Sequence, residues 1–578
     1  MRLERQLVLY SIPFLLFLVV SSLVPLLFIL AKSFQGGLRL WESVFTGAPS
    51  LALPGWNVGL SLTLLWLPMA RSIVVGIGAT VLSVCLGTVF AVLVATSNLR
   101  YKRAFVYCQV LQFVIPPLTI AQFWVVISEL LRFPPSLAEG PVPMVLVLGF
   151  HFQSLVFLIV NASLRRLDQT VVDAARVGGA GYAGIVRRIV LPLATPAIVT
   201  STALSLFFNI SAFTPVYLLG TGSSPYYTLP MQIYSVYLGS FLSPVSTSVM
   251  LILALVLTSI ALIPFLFYLN STRRWSVRTL DWNRERQMFS LGSAAGPLSA
   301  VVLLFGLLSV TTPLIFLLLQ SVNIPTLGGL ASQVSFAAVR QVLSSGAVAS
   351  SISSTIILGT TASAACVAMS FVMSYLSVRM KEKPVGFLIY LLAVVPFLVP
   401  AAALGTAYLT AVTSTAALQW LFGTIYLVIL VNVVIHFGLG LQVGTAAINQ
   451  VNASQEEAAF ASGASVWRTL RRVVLPLTSS SLLAGWIVIF AFVTKEVDTL
   501  MFLYPPLSVG SGLTLNSVLH SPPLMFLAFT YLNANDPSLY AQGNFMLAVF
   551  TVVIMGIILL ASRLGGARID ELFVGGQR

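Results

Sequence analysis

Few residues in this chain have side chains suited to chemistry, and those few are grouped. Lys495, Glu496 and Asp498 fall together inside an otherwise apolar run. Charges in such a setting are costly, and they face a cavity or a partner. Two roles stay open for them: part of a pathway or gate, or a Lys–Glu salt bridge that neutralises itself and fixes packing. Adjacent Lys495 and Glu496 would not share one helix face, which argues against direct pairing. His151 and His436 also lie in apolar runs, where a satisfied packing histidine is the simpler expectation than a proton relay. Asn209, Thr214, Pro117 and Pro400 complete the set of polar or kink-forming residues that a path through the chain would use. Cys85, Cys108 and Cys366 have no metal-type spacing and read as small buried hydrophobes. No phosphate-binding G-x-x-x-x-G-K-[ST] motif and no catalytic constellation occurs. The chain is therefore expected not to be an enzyme, and to bind no metal or cofactor itself.

The elements that must position these residues follow from composition. Hydrophobic residues make up 58% of the 578 residues and charged ones only 8%. A soluble domain needs far more charge to cover its surface. The apolar residues come in continuous runs of the length that crosses a bilayer as a helix. They predict an all-α polytopic membrane protein with about twelve transmembrane helices. The expected spans are 7–31, 71–97, 105–130, 143–164, 196–219 and 244–268, then 293–320, 348–378, 385–412, 421–447, 479–504 and 541–562. Lys and Arg gather in alternate connections, which puts both termini in the cytoplasm and the chain in a prokaryotic cell membrane. That placement assigns the net charge of +14 to topology, and no nucleic-acid partner is expected. The apolar stretch after MRLERQ is too long for a signal peptide, and is read as an uncleaved first helix.

One motif occurs twice. Residues 173–192 read DAARVGGAGYAGIVRRIVLP, and residues 457–476 read EAAFASGASVWRTLRRVVLP. The offset is 284 throughout, without a gap. It divides the chain into a first six-helix repeat, 1–268, a charged cytoplasmic linker, 269–292, and a second repeat, 293–578. An even number of helices per repeat makes the two parallel, related by a pseudo-twofold axis, with a path between them. In each copy the acid and its two alanines are expected to open a short helix. The glycine then breaks it, a second short helix carries two arginines, and Leu-Pro ends that helix. The simplest alternative is a loop that hugs lipid headgroups.

The pattern acidic-Ala-Ala-x3-Gly, followed by Leu-Pro, resembles the coupling loop of ABC importer permeases. The resemblance implies that loops 165–195 and 449–478 dock into clefts on two ATPase subunits. Asp173, Ala174, Ala175, Gly179, Arg187 and Arg188 would serve one subunit. Glu457, Ala458, Ala459, Gly463, Arg471 and Arg472 would serve the other. ATP and magnesium would bind those partners and not this chain. An extracytoplasmic substrate-binding protein would deliver the solute, with segments 33–70 and 505–540 as its expected docking places. The fused form, and FVTKEVDTLMFL at 492–503, are similar to ferric-iron permeases, which makes ferric iron the first expected substrate. Thiamine, phosphonate, polyamine and sugar are the alternatives. A different class, an ion-coupled secondary transporter with two six-helix halves, would carry its coupling chemistry as charges within the membrane.

Overall fold

The computed structural model describes residues 12–47, 61–165, 169–222, 224–239, 244–274, 289–322, 334–380, 384–504 and 521–564. Among the described residues the chain is helical, and one isolated bridge joins Ser97 to Phe289. Among the described residues ten helices are long and apolar enough to cross a membrane, or eleven with one bent pair counted as a span. Their outer faces carry exposed Val74, Ile77 and Val81, or Leu304, Leu308 and Ile315, at helical spacing. Faces of this kind suit lipid rather than water.

Two of the expected spans are broken. Lys102–Val114 and Pro117–Leu130 meet at 93°. The span expected at 385–412 is Pro384–Val394, a 3-10 turn Val395–Leu398, and then Ala401–Ser414. Pro116 and Pro400 stand at the two breaks with matching backbone angles, φ −57° and ψ 135° against φ −53° and ψ 143°. Proline lacks the N–H that a continuous helix needs, and its ring clashes with the preceding turn.

The fifth span of each half also stops early. The chain was expected to run on to 219 and 504, but the helices Leu191–Ser211 and Leu475–Lys495 end sooner. Ala212 (φ −59°, ψ 129°) and Glu496 (φ −68°, ψ 124°) turn the chain extended. Short helices Thr214–Gly220 and Leu500–Leu503 follow. Several elements recur at the 284-residue offset with both ends matched: Pro117–Leu130 with Ala401–Ser414, Pro141–Leu164 with Ile425–Ile448, and Leu191–Ser211 with Leu475–Lys495.

Each π-turn in the described chain precedes a proline. The turns are Val19–Leu23, Leu62–Trp66, Val186–Val190 and Leu470–Val474. Pro25, Pro68, Pro192 and Pro476 follow two residues after the turns end. The residue before each proline bonds five residues back, as Leu191 N–H does to the Val186 carbonyl. The wider turn makes room for the proline ring without ending the helix. This corrects the expectation that Leu-Pro terminates the arginine-bearing helix. Tyr182–Ser211 and Val466–Lys495 are each one span, and the arginine pairs ride on their π-turns.

The halves interlock. The first long helix, Ile12–Ser33, reaches the second half, where Tyr408 donates to the Ser21 carbonyl at 2.5 Å. Reciprocally, Ala295–Val322 lies on Lys102–Val114. A Cβ at Gly306 would meet Phe105 at 2.8 Å and Cys108 at 3.1 Å, so only glycine permits this approach. Within the halves, Ser83 and Ser374 hydroxyls bond the carbonyls of Gly149 and Leu441 at 3.0 Å. Residues 521–540, the described part of segment 505–540, are not a free outer loop. They include buried Leu524–Leu532, whose first N–H donates to Thr355 Oγ1 at 2.8 Å.

Candidate functional site

The repeated loops are nearly superposable in their hydrogen bonding. Helices Gln169–Val177 and Ala453–Ala461 each close on a left-handed glycine, Gly179 at φ 81° and Gly463 at φ 79°. Gly179 N–H donates to the Arg176 carbonyl at 2.9 Å, and Gly463 N–H to that of Phe460 at 3.0 Å. Ala180 and Ala464 N–H groups reach back to Ala175 and Ala459, both at 3.0 Å. This is the helix-ending turn that glycine adopts without steric cost. Gly178 keeps an ordinary φ, so Gly179 alone makes the turn.

The acids do not open these helices as expected. Asp173 and Glu457 sit mid-helix, and in the second copy Asn452 is the cap, accepting from Ser454 N–H at 3.2 Å. Asp173, Ala174, Glu457 and Ala458 are exposed, whereas Ala175 and Ala459 are half-buried. Arg187, Arg188, Arg471 and Arg472 are exposed as well. Each loop thus offers an acid, a small residue and a glycine turn on a surface fixed to two long helices. Residues 166–168 of the first loop lie outside the described residues.

Sequence reasoning missed what holds each loop from behind. Buried Glu456 pairs with Arg379 and accepts from the Tyr375 hydroxyl at 3.0 Å. The first loop has Val172 at that register. It rests instead on Phe289, whose ring lies 4.3 Å beneath the Arg176 guanidinium and 4.8 Å from the Tyr182 ring. The doubled acid Glu456-Glu457 was a usable signal; nothing in the local sequence marks Phe289.

Two of the three charges near the fifth-span break, Lys495 and Asp498, turn to the opposite half. Pro117 removes the N–H that would satisfy the Phe113 carbonyl one turn back. Lys495 Nζ fills that place at 3.1 Å, and lies 4.2 Å from the Phe492 ring centre. Asp498 accepts from Phe213 N–H at 3.2 Å, from Thr214 N–H at 3.0 Å, and from the Thr214 hydroxyl. It therefore caps the first half's helix Thr214–Gly220 from the second half. Glu496 accepts from Thr499 N–H and hydroxyl, both at 3.1 Å. Lys495 and Glu496 thus turn to different partners, and Lys495 stands at a helix end rather than mid-span.

The remaining candidates scatter. Asn209 donates to Thr80 at 3.0 Å and to Ser205 at 3.2 Å, entirely inside the first half. Pro117 and Pro400 mark the two breaks and do not face one another by register. His436 Nδ1 is 2.9 Å from the Asn432 carbonyl, so that nitrogen carries the proton. His151 stacks on Phe113 at 6.4 Å, and its Nδ1 finds no hydrogen-bond partner among the described residues. The two histidines are not equivalent, because the offset places Ile435 opposite His151. Of the cysteines, Cys108 and Cys366 are buried, but Cys85 is exposed.

Residues 83–277 match the family model of the binding-protein-dependent transport system inner membrane component. That range contains the first loop and both charge-accepting sites, Phe113 and Thr214. A 134-residue stretch is 28% identical to the glucose import system permease protein GlcT of Saccharolobus solfataricus. The match covers 23% of this chain and 46% of that relative, so it spans about half the relative's length. The first half of this multi-pass helical chain is therefore similar to the inner membrane component of binding-protein-dependent transport systems.

Proposed function

We propose that this chain is the permease of an ABC importer, with both membrane halves in one polypeptide. The supporting observation is the paired loop: an exposed acid, an exposed alanine and a left-handed glycine, repeated at one offset. The first copy lies inside the segment that matches the transport-system family. In this reading each loop faces the cytoplasm and seats one ATPase subunit. Closure of the ATPase pair on ATP moves both loops, and the rigid Tyr182–Ser211 and Val466–Lys495 spans carry that motion to the broken helices. The halves relate by a pseudo-twofold axis and alternate between inward and outward access. An extracytoplasmic binding protein supplies the solute.

The Lys495 and Asp498 contacts then close the path between the halves, and opening it breaks them. Ferric iron and a sugar are the two solutes to test first: one from the resemblance at 492–503, the other from the printed name of the relative. Among the described residues no three metal-ligating side chains converge, so the iron reading rests on sequence resemblance.

Purification of the chain with its native associates tests the proposal. Two ATPase copies per chain, with the copy at the second loop lost on Gly463→Pro, are the expected result. Proline cannot adopt φ 79° and has no N–H for the Phe460 carbonyl. A chain that purifies alone and transports in ATP-free vesicles under an ion gradient would instead be a secondary transporter.

A further inference from the structure

The two loops share a turn but not a setting. In the first, Arg176 lies one helical turn from Asp173 and contacts its carboxylate at 3.4 Å. An exposed pair of this kind is weak when both side chains are free. Here the guanidinium is held in place, 4.3 Å over the Phe289 ring. Phe289 is itself fixed: its N–H donates to the Thr96 carbonyl at 2.9 Å, its ring meets Tyr182 edge-on, and Leu291 N–H donates to Asn98 Oδ1 at 2.8 Å. Tyr182 in turn places its hydroxyl 3.3 Å from Thr96 Oγ1. Residues at the end of the linker therefore hold an arginine against the first loop's acid.

The second loop has no such arrangement. Phe460 occupies the register of Arg176, and Val466 that of Tyr182. The aromatic is built into the loop, and no cation stands three or four positions from Glu457. Glu457 is exposed and makes no ion pair or side-chain hydrogen bond among the described residues, because the fixing contacts go to its neighbour Glu456. The exposed apolar residues differ as well: Val177 on the first loop, Trp467 on the second.

We propose that the two loops are unlike seats for ATPase subunits. The first is charge-compensated and shaped by Phe289 at the end of the linker. The second presents a Glu457 with no cation paired to it among the described residues, and takes a partner cleft that carries a basic side chain. The linker consequently acts on one seat alone. This rests on the importer reading above.

The test uses the full chain with the ATPase that copurifies with it. A benzoyl-phenylalanine photocrosslinker is placed at Val177 or at Ala461, which are equivalent positions, and capture is followed as salt rises. Capture at Ala461 is expected to fall about tenfold between low and high salt, as for a contact carried by charge, with little fall at Val177. Glu457→Gln should flatten the Ala461 curve. Phe289→Ala should free Arg176 and make Val177 capture salt-dependent, while Phe289→Tyr keeps the ring and the wild-type curve. Equal salt curves at both positions, or a Phe289→Ala effect on both seats alike, would overturn the proposal and leave the importer reading standing. No ATPase captured at either position would overturn both.

Discussion

The two halves carry the same breaks but satisfy them with different chemistry. At the end of the fifth span the first half reads Ser211-Ala212-Phe213-Thr214, and the second reads Lys495-Glu496-Val497-Asp498. The backbone turns alike at Ala212 and Glu496. Only the second half carries charge there, and it spends that charge on its neighbour: Lys495 on the Phe113 carbonyl, Asp498 on the amides of Phe213 and Thr214. A homodimer of either half would lack one side of this arrangement. Two first halves have exposed backbone and no charge; two second halves have four charges too many. In the proposed importer, one polypeptide holding both would let a donor half and an acceptor half specialise on one repeated scaffold. The loops show the same division, with Glu456 buried behind one and Phe289 behind the other.

The largest expected effect falls on the second loop. Arg379→Met leaves Glu456 buried without its cation, at a cost of about 3 kcal/mol. Limited proteolysis should then cut near 449–465 well before 165–181. Equal cutting of both loops would erase the difference between their supports. Next comes Asp498→Ala, which strips three donors of their acceptor. Asp498 is partly exposed, so the loss is about 2–3 kcal/mol, below that of a fully enclosed group. It should appear as a lower melting temperature of the detergent-solubilised chain. Asp498→Asn keeps one acceptor oxygen and should lose less.

Much of the scaffold was legible in the sequence. Apolar runs located the long helices, the ungapped offset located the paired loops, and Gly179 and Gly463 announced their turns because no other residue takes positive φ so cheaply. Pro117 and Pro400, read as kink-forming, fall at or beside the two breaks. What was not legible shares one cause: the partner is remote in the chain or is backbone. Nothing near Lys495 names the Phe113 carbonyl as its acceptor, and nothing near Arg176 points to Phe289, more than a hundred residues on. The continuous runs at 196–219 and 479–504 also hid their breaks, since Ala212 and Glu496 are compatible with helix and tertiary contacts override their propensity. Asn209 is polar in an apolar run, and the two groups its amide N–H donates to, Thr80 and Ser205, lie as far from it in sequence as 129 residues and as near as four.

A smaller effect sharpens the donor–acceptor distinction. Lys495→Met keeps the length and apolar contacts with Phe492, and removes the donor to the Phe113 carbonyl. The cost is about 1–2 kcal/mol, that of losing one hydrogen bond from a charged donor. Lys495→Gln keeps an N–H donor and removes the cation. If the carbonyl is what Lys495 serves, Lys495→Gln should recover part of the melting temperature that Lys495→Met loses. Without recovery, Lys495 acts through its aromatic contacts instead.

The smallest effects should be the most alike, because they test what the halves share. Gly179→Ala and Gly463→Ala each force an L side chain into the left-handed region, at about 1–2 kcal/mol. No neighbouring atom lies within 4 Å of either added Cβ, so the cost is backbone strain alone. Two substitutions with one backbone geometry and no steric partner should shift the melting temperature equally, and their effects should add because the turns are separate. An unequal pair would mean that the supports behind the loops, Glu456 on one side and Phe289 on the other, already set how much strain each turn can relax.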